Sequence, residues 1–159
     1  MSRDPWAGQD FRDLLDALQH EGVRFLVAGA HALGAHGVPR ATADLDIWLD
    51  ATQANAERVW RALARFGAPL DALGVRLVDL STPDQVIQLG LPPARIDLLT
   101  GLSGVSFEEA WPDRLIAPFG SLQVPFVGRT TFLRNKRATG RLRDLADIEA
   151  LGEDPTAPA

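Results

Sequence analysis

Asp44 and Asp46 stand in an otherwise apolar stretch of the 159-residue chain, residues 43–49 of the segment ADLDIWLD. The pattern predicts a strand. Side chains on a strand alternate between its two faces, so Asp44 and Asp46 share one face and their apolar neighbours share the other. A buried charge is costly unless it is paired or bound to a cation. The face with the two acids therefore either meets water or holds something positive.

A third carboxylate, Asp97, lies in a second apolar segment, RIDLLTGL. A solvent-facing strand would explain Asp44 and Asp46 as exposed aspartates, but it gives no structural reason for Asp97. Three carboxylates on neighbouring strands are a ligand set for two Mg²⁺ ions, with Mn²⁺ as a substitute. In phosphoryl or nucleotidyl transfer, one ion activates the attacking hydroxyl and the other stabilises the leaving phosphate.

A turn of small residues precedes the Asp44 strand. Gly29 and Ala30 stand where the apolar segment VRFLVAG meets AHALGAHG. Backbone N–H groups at such a strand-to-helix turn can receive phosphate oxygens, although glycine also occurs there for steric reasons alone. The loop that follows carries Arg40 and Thr42. We expect these two residues either to contact a nucleotide or, for Thr42, to stabilise a turn.

A basic segment lies near the C-terminus of a chain whose formal net charge is −5. Its cations are Arg129, Arg134, Lys136, Arg137, Arg141 and Arg143. Lys136 is the only lysine beside fifteen arginines, and phosphate sites use lysine as a compact point charge. A solvated helix face is the alternative for Lys136. Helical spacing predicts one pair between Arg141 and Asp144, and another between Arg143 and Asp147.

The order of these motifs resembles the DNA polymerase beta superfamily of nucleotidyltransferases. The stretches AHGVPRATADLDI, IDLLTG and NKRATGRLRDLADIEAL are similar to those of its small bacterial members, the MNT-like enzymes and the relatives of abortive-infection (AbiEii-like) toxins. The resemblance covers about residues 9–151. The chain departs from the pattern at Ala30, where the superfamily usually has Gly or Ser, so a side-chain hydroxyl is absent there.

The resemblance implies a Mg²⁺-dependent enzyme that moves a nucleoside monophosphate from an NTP to a hydroxyl. It implies that Asp44, Asp46 and Asp97 are the catalytic metal ligands, and that the basic segment closes over the nucleotide. The expected nucleotide-binding residues are Gly29, Ala30, Arg40, Thr42, Lys136 and Arg141.

The acceptor stays open: an RNA 3′ end such as that of a tRNA, a protein side chain, or a small molecule. The resemblance also admits a cognate toxin or antitoxin protein as a partner. The alternative is a non-catalytic member of a toxin–antitoxin pair that binds a nucleotide or a partner protein. The three intact acids favour catalysis, because a pure binding module does not need them.

Helices and strands must position these residues within one domain at 9–151, between expected flexible tails at 1–8 and 152–159. Periodicity and turn residues predict helices at 10–22, 30–37, 52–67, 131–138 and 141–151, and a helical turn at 106–111. They predict strands at 23–29, 43–50, 75–80, 85–90 and 95–102, and a hairpin at 114–128. The mixture indicates an α/β or α+β fold, with flanking helices on a mixed sheet. The resemblance implies the polymerase-beta-like nucleotidyltransferase fold.

Composition restricts the class of protein further. There is no cysteine, and no apolar run approaches the 18 to 20 or so residues of a membrane span. The N-terminal residues lack the apolar core of a signal peptide. We therefore expect a cytoplasmic protein without disulfides and without a membrane partner. The net negative charge argues against general binding of polyanions.

Overall fold

The computed structural model describes residues 9–90 and 95–158. The helices are α1 (Gln9–His20), α2 (Gly29–Ala35), α3 (Gln53–Phe66), α4 (Leu70–Leu73), α5 (Phe107–Ala110), α6 (Arg129–Thr139) and α7 (Leu142–Ala150). The strands are β1 (Phe25–Ala28), β2 (Asp44–Leu49), β3 (Val86–Leu89), β4 (Arg95–Leu99), β5 (Leu115–Phe119) and β6 (Leu122–Phe126). A 3₁₀ helix spans Leu77–Ser81. The tail expected at residues 1–8 lies outside the described residues.

The strands form one mixed sheet in the order β3-β4-β2-β1-β6-β5. β2 pairs parallel with β4 and antiparallel with β1, and β1 pairs parallel with β6. The outer pairs, β3 with β4 and β5 with β6, are antiparallel. The predicted mixed sheet with flanking helices is confirmed, and the architecture is α+β. This order places β2, which carries two of the acids, beside β4, which carries the third.

The core forms where apolar helix faces meet the sheet. In α1, Leu14, Leu15 and Leu18 are fully buried, and α1 packs against α3. Thr52 caps the start of α3 by accepting a hydrogen bond from the Asn55 N–H at 3.2 Å. Gly67 ends that helix with a φ of 90°, a left-handed conformation that glycine adopts without strain. Both ends of α3 were predicted correctly from these residues.

The strand predicted at 75–80 is wrong, because this segment contains the 3₁₀ helix. Local polar contacts hold it: the Arg76 N–H donates to Asp79 at 2.8 Å, and the Thr82 hydroxyl donates to the Val78 carbonyl at 2.7 Å. Such side-chain bonds to nearby backbone compete with a strand ladder. Leu80 is buried while Val78 is exposed. The alternation of apolar residues that suggested a strand therefore belongs to a 3₁₀ helix that packs one side against α3.

The other predicted helices and strands are confirmed within a few residues at their ends. Gly140 separates α6 from α7 in a left-handed conformation, with a φ of 60°. The short helix α4 was not predicted. No helix in the described part of the chain is both long and apolar enough to cross a membrane.

Candidate active site

The three aspartates lie on one face of the sheet where β2 and β4 run in parallel. The register places Asp46 opposite Asp97 and Asp44 opposite Arg95. Residues directly opposite in neighbouring strands are about 5 Å apart and point to the same face. On the other face of β2, Leu45 is fully buried. The parallel pairing therefore brings together acids that are about fifty residues apart in the sequence.

Gly29 lies against the Asp46 carboxylate. A Cβ added at Gly29 would overlap Asp46 Oδ2, and the φ of Gly29 is 65°, in the left-handed region. Both constraints favour glycine there. The sequence predicted a glycine turn before the Asp44 strand, and the structure adds a reason for the glycine, which is room for the side chain of Asp46. A contact between Gly29 and phosphate stays a prediction.

Burial and like charge control the protonation of this cluster. Burial, together with the charges of Asp97 and Asp44, raises the pKa of Asp46 to about 6, while the positive charge of Lys136 opposes the shift. Burial also raises the pKa of Asp97, partly offset by the nearby Arg95 guanidinium. Carboxylates gathered in this way repel each other when they are ionised, so the cluster favours a bound cation or proton.

Arg95 is a charged neighbour that the sequence analysis missed. Its Nε lies 3.3 Å from Asp97 Oδ1, and its Nη2 lies 3.6 Å from Asp44 Oδ2. The signal in the sequence is its position two residues before Asp97, which places both on one face of β4. Arg95 therefore lies next to two of the three acids.

The acids offer the right ligand chemistry for a hard divalent cation, since all three donate carboxylate oxygens. The Oδ1 atom of Asp97 is also buried without a hydrogen-bond partner. However, no group of three or more His, Cys, Asp or Glu side chains within residues 9–90 and 95–158 is already arranged to hold a metal ion. The donor set thus fits Mg²⁺, but its present arrangement pairs Asp44 and Asp97 with Arg95.

Lys136 is partly buried between two acids of α7. Its Nζ lies 3.3 Å from Asp144 Oδ1 and 3.2 Å from Asp147 Oδ2, and 5.3 Å from the centre of the Phe132 ring. Its side chain is only 14% exposed, which excludes a fully solvated helix face. Its positive charge also acts to lower the pKa of Asp46, so Lys136 influences the aspartate cluster as well as the α7 acids.

Arg40 and Arg141 reach the same pair of α7 acids. Arg40 forms an ion pair with Asp147, and Arg141 Nε donates to Asp144 Oδ2 at 2.8 Å. Burial would raise the pKa of Asp144, but hydrogen bonds from Arg141 and Thr139 hold it well below its usual range. The predicted pair of Arg141 with Asp144 is confirmed.

The pairing predicted for Asp147 with Arg143 is wrong, because Asp147 instead contacts Lys136 and Arg40. Asp147 points inward from α7 and is buried, so its partners come from other segments of the chain. These ion pairs connect α6 and α7 to the loop before β2.

Thr42 stabilises the start of β2. Its hydroxyl oxygen accepts a hydrogen bond from the Asp44 N–H at 3.1 Å and lies 3.3 Å from the Asp44 carbonyl. These contacts correspond to the turn-stabilising role, the alternative to nucleotide contact that the sequence offered for Thr42.

Ala30 and Arg40 line a cleft of about 380 Å³ together with Phe119. The three aspartates are not among the residues that line this cleft.

A larger cavity, of about 700 Å³, lies between α1 and the residues that follow α3. Asp10, Asp13, Asp16 and Arg65 contribute its polar walls. Asp44, Asp46 and Asp97 do not line it, so size alone does not locate the candidate site.

The fold is similar to that of a proposed nucleotidyltransferase from Thermotoga maritima. The two structures align with a TM-score of 0.56 over 89% of this chain and 88% of that chain, at 18% sequence identity. The chain has a nucleotidyltransferase-like fold. No protein-family model matches the sequence, and the search of curated proteins finds no match.

We predict that Gly29→Ala destabilises the protein by about 1–3 kcal/mol, because alanine is strained at this φ and its Cβ displaces Asp46. Gly34→Ala in the same helix is the matched control, since nothing lies within 4 Å of its added Cβ. That control should be neutral or gain up to about 1 kcal/mol. Urea unfolding of both variants measures the difference. Equal stabilities would contradict the proposed packing.

We predict that Asp46→Asn changes the pH dependence of stability in metal-free buffer. The folded-state pKa of about 6 lies above the ordinary value of 3.8, so the stabilising contribution of Asp46 is present at low pH. It is lost as the pH rises through 6. At pH 7 the Asn variant should be more stable than the parent by about 1–3 kcal/mol, and near pH 4 the two should be similar.

Unfolding curves from pH 4 to pH 8 measure this effect, with Glu57→Gln, an exposed position on α3, as the control. Parallel pH profiles for the parent and Asp46→Asn would show that Asp46 is not perturbed.

Proposed function

We propose that this protein is a nucleotidyltransferase that moves a nucleoside monophosphate from an NTP to a hydroxyl acceptor. The observation that carries the proposal is the register of β2 and β4, which sets Asp46 beside Asp97 on the face that also bears Asp44. The nucleotidyltransferase-like fold supports it. The Gly29 turn lies against Asp46, and the positive charge of Lys136 acts on the pKa of the same carboxylate.

Asp44, Asp46 and Asp97 would hold Mg²⁺, or Mn²⁺ in its place. Bound divalent cations would supply a Lewis acid that activates the attacking hydroxyl and stabilises the leaving phosphate. The role of the chain itself is to keep the carboxylates together on a rigid sheet. Gly29 leaves the space that Asp46 occupies.

Lys136 would supply positive charge to the phosphates of the nucleotide. Asp144 and Asp147 hold its ammonium in place, and both acids are themselves fixed by arginines. A preorganised cation stabilises developing negative charge without reorganising during the reaction. Arg40 and Arg141 then act mainly on the α7 acids, and their contact with nucleotide is a further proposal.

The acceptor is the open part of the proposal: an RNA 3′ end, a protein side chain or a small molecule. A cognate toxin or antitoxin, which the resemblance to AbiEii-like toxin relatives admits, and a cytoplasmic location are further parts of the proposal. The net charge of −5 disfavours an acceptor bound through a broad basic surface.

The test is transfer of label from each α-labelled NTP to total RNA, protein or small-molecule alcohols, with Mg²⁺ or with chelator. We predict that Asp46→Asn abolishes transfer and that Asp97→Asn lowers it but leaves some activity, while circular dichroism shows an intact fold in both. Asp50→Asn is the matched control. Asp50 directly follows β2 and pairs with Arg24, so this variant should keep its transferase activity. Labelling that persists in both cluster variants would refute the proposed site.

We predict that Lys136→Arg lowers kcat/KM for the NTP by about ten- to a hundredfold, the effect of losing a charged hydrogen bond. The larger, planar guanidinium cannot take the position of the ammonium between Asp144, Asp147 and Phe132. Arg134→Lys is the reverse exchange on the same helix, at an exposed pair with Glu109, and it should leave the rate unchanged. Parent-like rates in both variants would contradict phosphate binding by Lys136 and would leave it a structural role only.

A further inference from the structure

Arg95 lies where a cation bound by the aspartates would compete with it. It opens β4 opposite Asp44, and its guanidinium is within 3.3 Å of Asp97 and 3.6 Å of Asp44. Its side chain is 32% exposed, while that of Asp97 is 12% exposed. The arginine can therefore reach solvent from the position in which it neutralises the two acids.

The contact between Arg95 and the acids depends on charge more than on directed hydrogen bonds. The Nε of Arg95 and the Oδ1 of Asp97 are both buried and lie 3.3 Å apart, but the N–H is not directed at the oxygen well enough to form a hydrogen bond. By contrast, Arg141 donates a directed hydrogen bond to Asp144 at 2.8 Å. Buried polar atoms without partners are uncommon and unfavourable. The guanidinium is thus an imperfect partner for these carboxylates.

A divalent cation and a guanidinium cannot share the same carboxylate oxygens at no cost, because both are positive. A phosphate group is a better partner for arginine, since the planar fork of the guanidinium matches two phosphate oxygens. Arrival of a nucleotide with its cation would therefore offer Arg95 and the acids better partners at the same time.

We propose that Arg95 is the internal counter-ion of Asp44 and Asp97, and that the phosphates of an incoming nucleotide draw it away so that cation and nucleotide bind together. This inference rests on the proposed function and adds a positioning residue to it. Energetic coupling of this kind is reciprocal: if the phosphates favour cation binding, the cation favours phosphate binding to the same extent.

The experiment measures Mn²⁺ binding to the full chain by electron paramagnetic resonance, without nucleotide. Arg95→Gln removes the counter-ion and should tighten Mn²⁺ binding about tenfold, within the usual range of coupling between sites. Arg95→Lys keeps the charge and should stay near the parent. Arg61→Gln is the control for loss of a distant positive charge, since Arg61 pairs with Glu21 on the surface.

A second titration uses inorganic triphosphate already saturated with Mn²⁺. Here Arg95→Gln should bind more weakly than the parent, because the phosphates have lost their arginine. Opposite changes for the bare ion and for its triphosphate complex are the expected signature. A merely structural role for Arg95 would move both affinities in the same direction, and thermal unfolding checks that each variant is folded.

Unchanged Mn²⁺ affinity in Arg95→Gln would overturn the counter-ion role. Tighter binding of both Mn²⁺ and its triphosphate complex would overturn the transfer of Arg95 to phosphate. Either result leaves the proposed nucleotidyl transfer in place. If neither the parent nor Arg95→Gln binds Mn²⁺ at millimolar concentration, the metal site of the proposed function is wrong, and Arg95 has no cation to compete with.

Discussion

The parallel pairing of β2 with β4 is the constraint on which the candidate site depends. It fixes Asp46 beside Asp97 and Asp44 beside Arg95 on one face of the sheet. Isolated carboxylates on a buried sheet would be costly. Burial, together with the charges of Asp97 and Asp44, raises the pKa of Asp46, so the cluster favours a positive partner.

Three features of the chain act on this cluster, each with a distinct physical task. The turn at Gly29 leaves space for the Asp46 side chain. Arg95 neutralises part of the cluster from within the sheet. Lys136 adds a positive charge from α6, and the buried acids of α7 hold that charge. The last two helices are therefore connected electrostatically to the sheet.

Much of the fold could be predicted from local patterns. The cap at Thr52, the left-handed Gly67 and the apolar face between them define α3, because each acts over a few residues. The strand prediction at 75–80 failed because two local signals oppose each other there. Alternating apolar residues favour a strand, while the hydrogen bond from the Arg76 N–H to Asp79 favours a turn. Local signals conflict there, and packing of Leu80 on the core decides the outcome.

The sequence by itself determined the three carboxylates, the glycine turn and the solitary Lys136 as candidates, because residue type and alternation along a strand are local properties. Only the tertiary structure decided which charges meet. Asp147 pairs with Arg40 and Lys136 instead of Arg143, and Arg95 lies against Asp44. Such contacts depend on strand order and register and on the docking of α7. They join residues that are far apart in the chain, which local spacing does not encode.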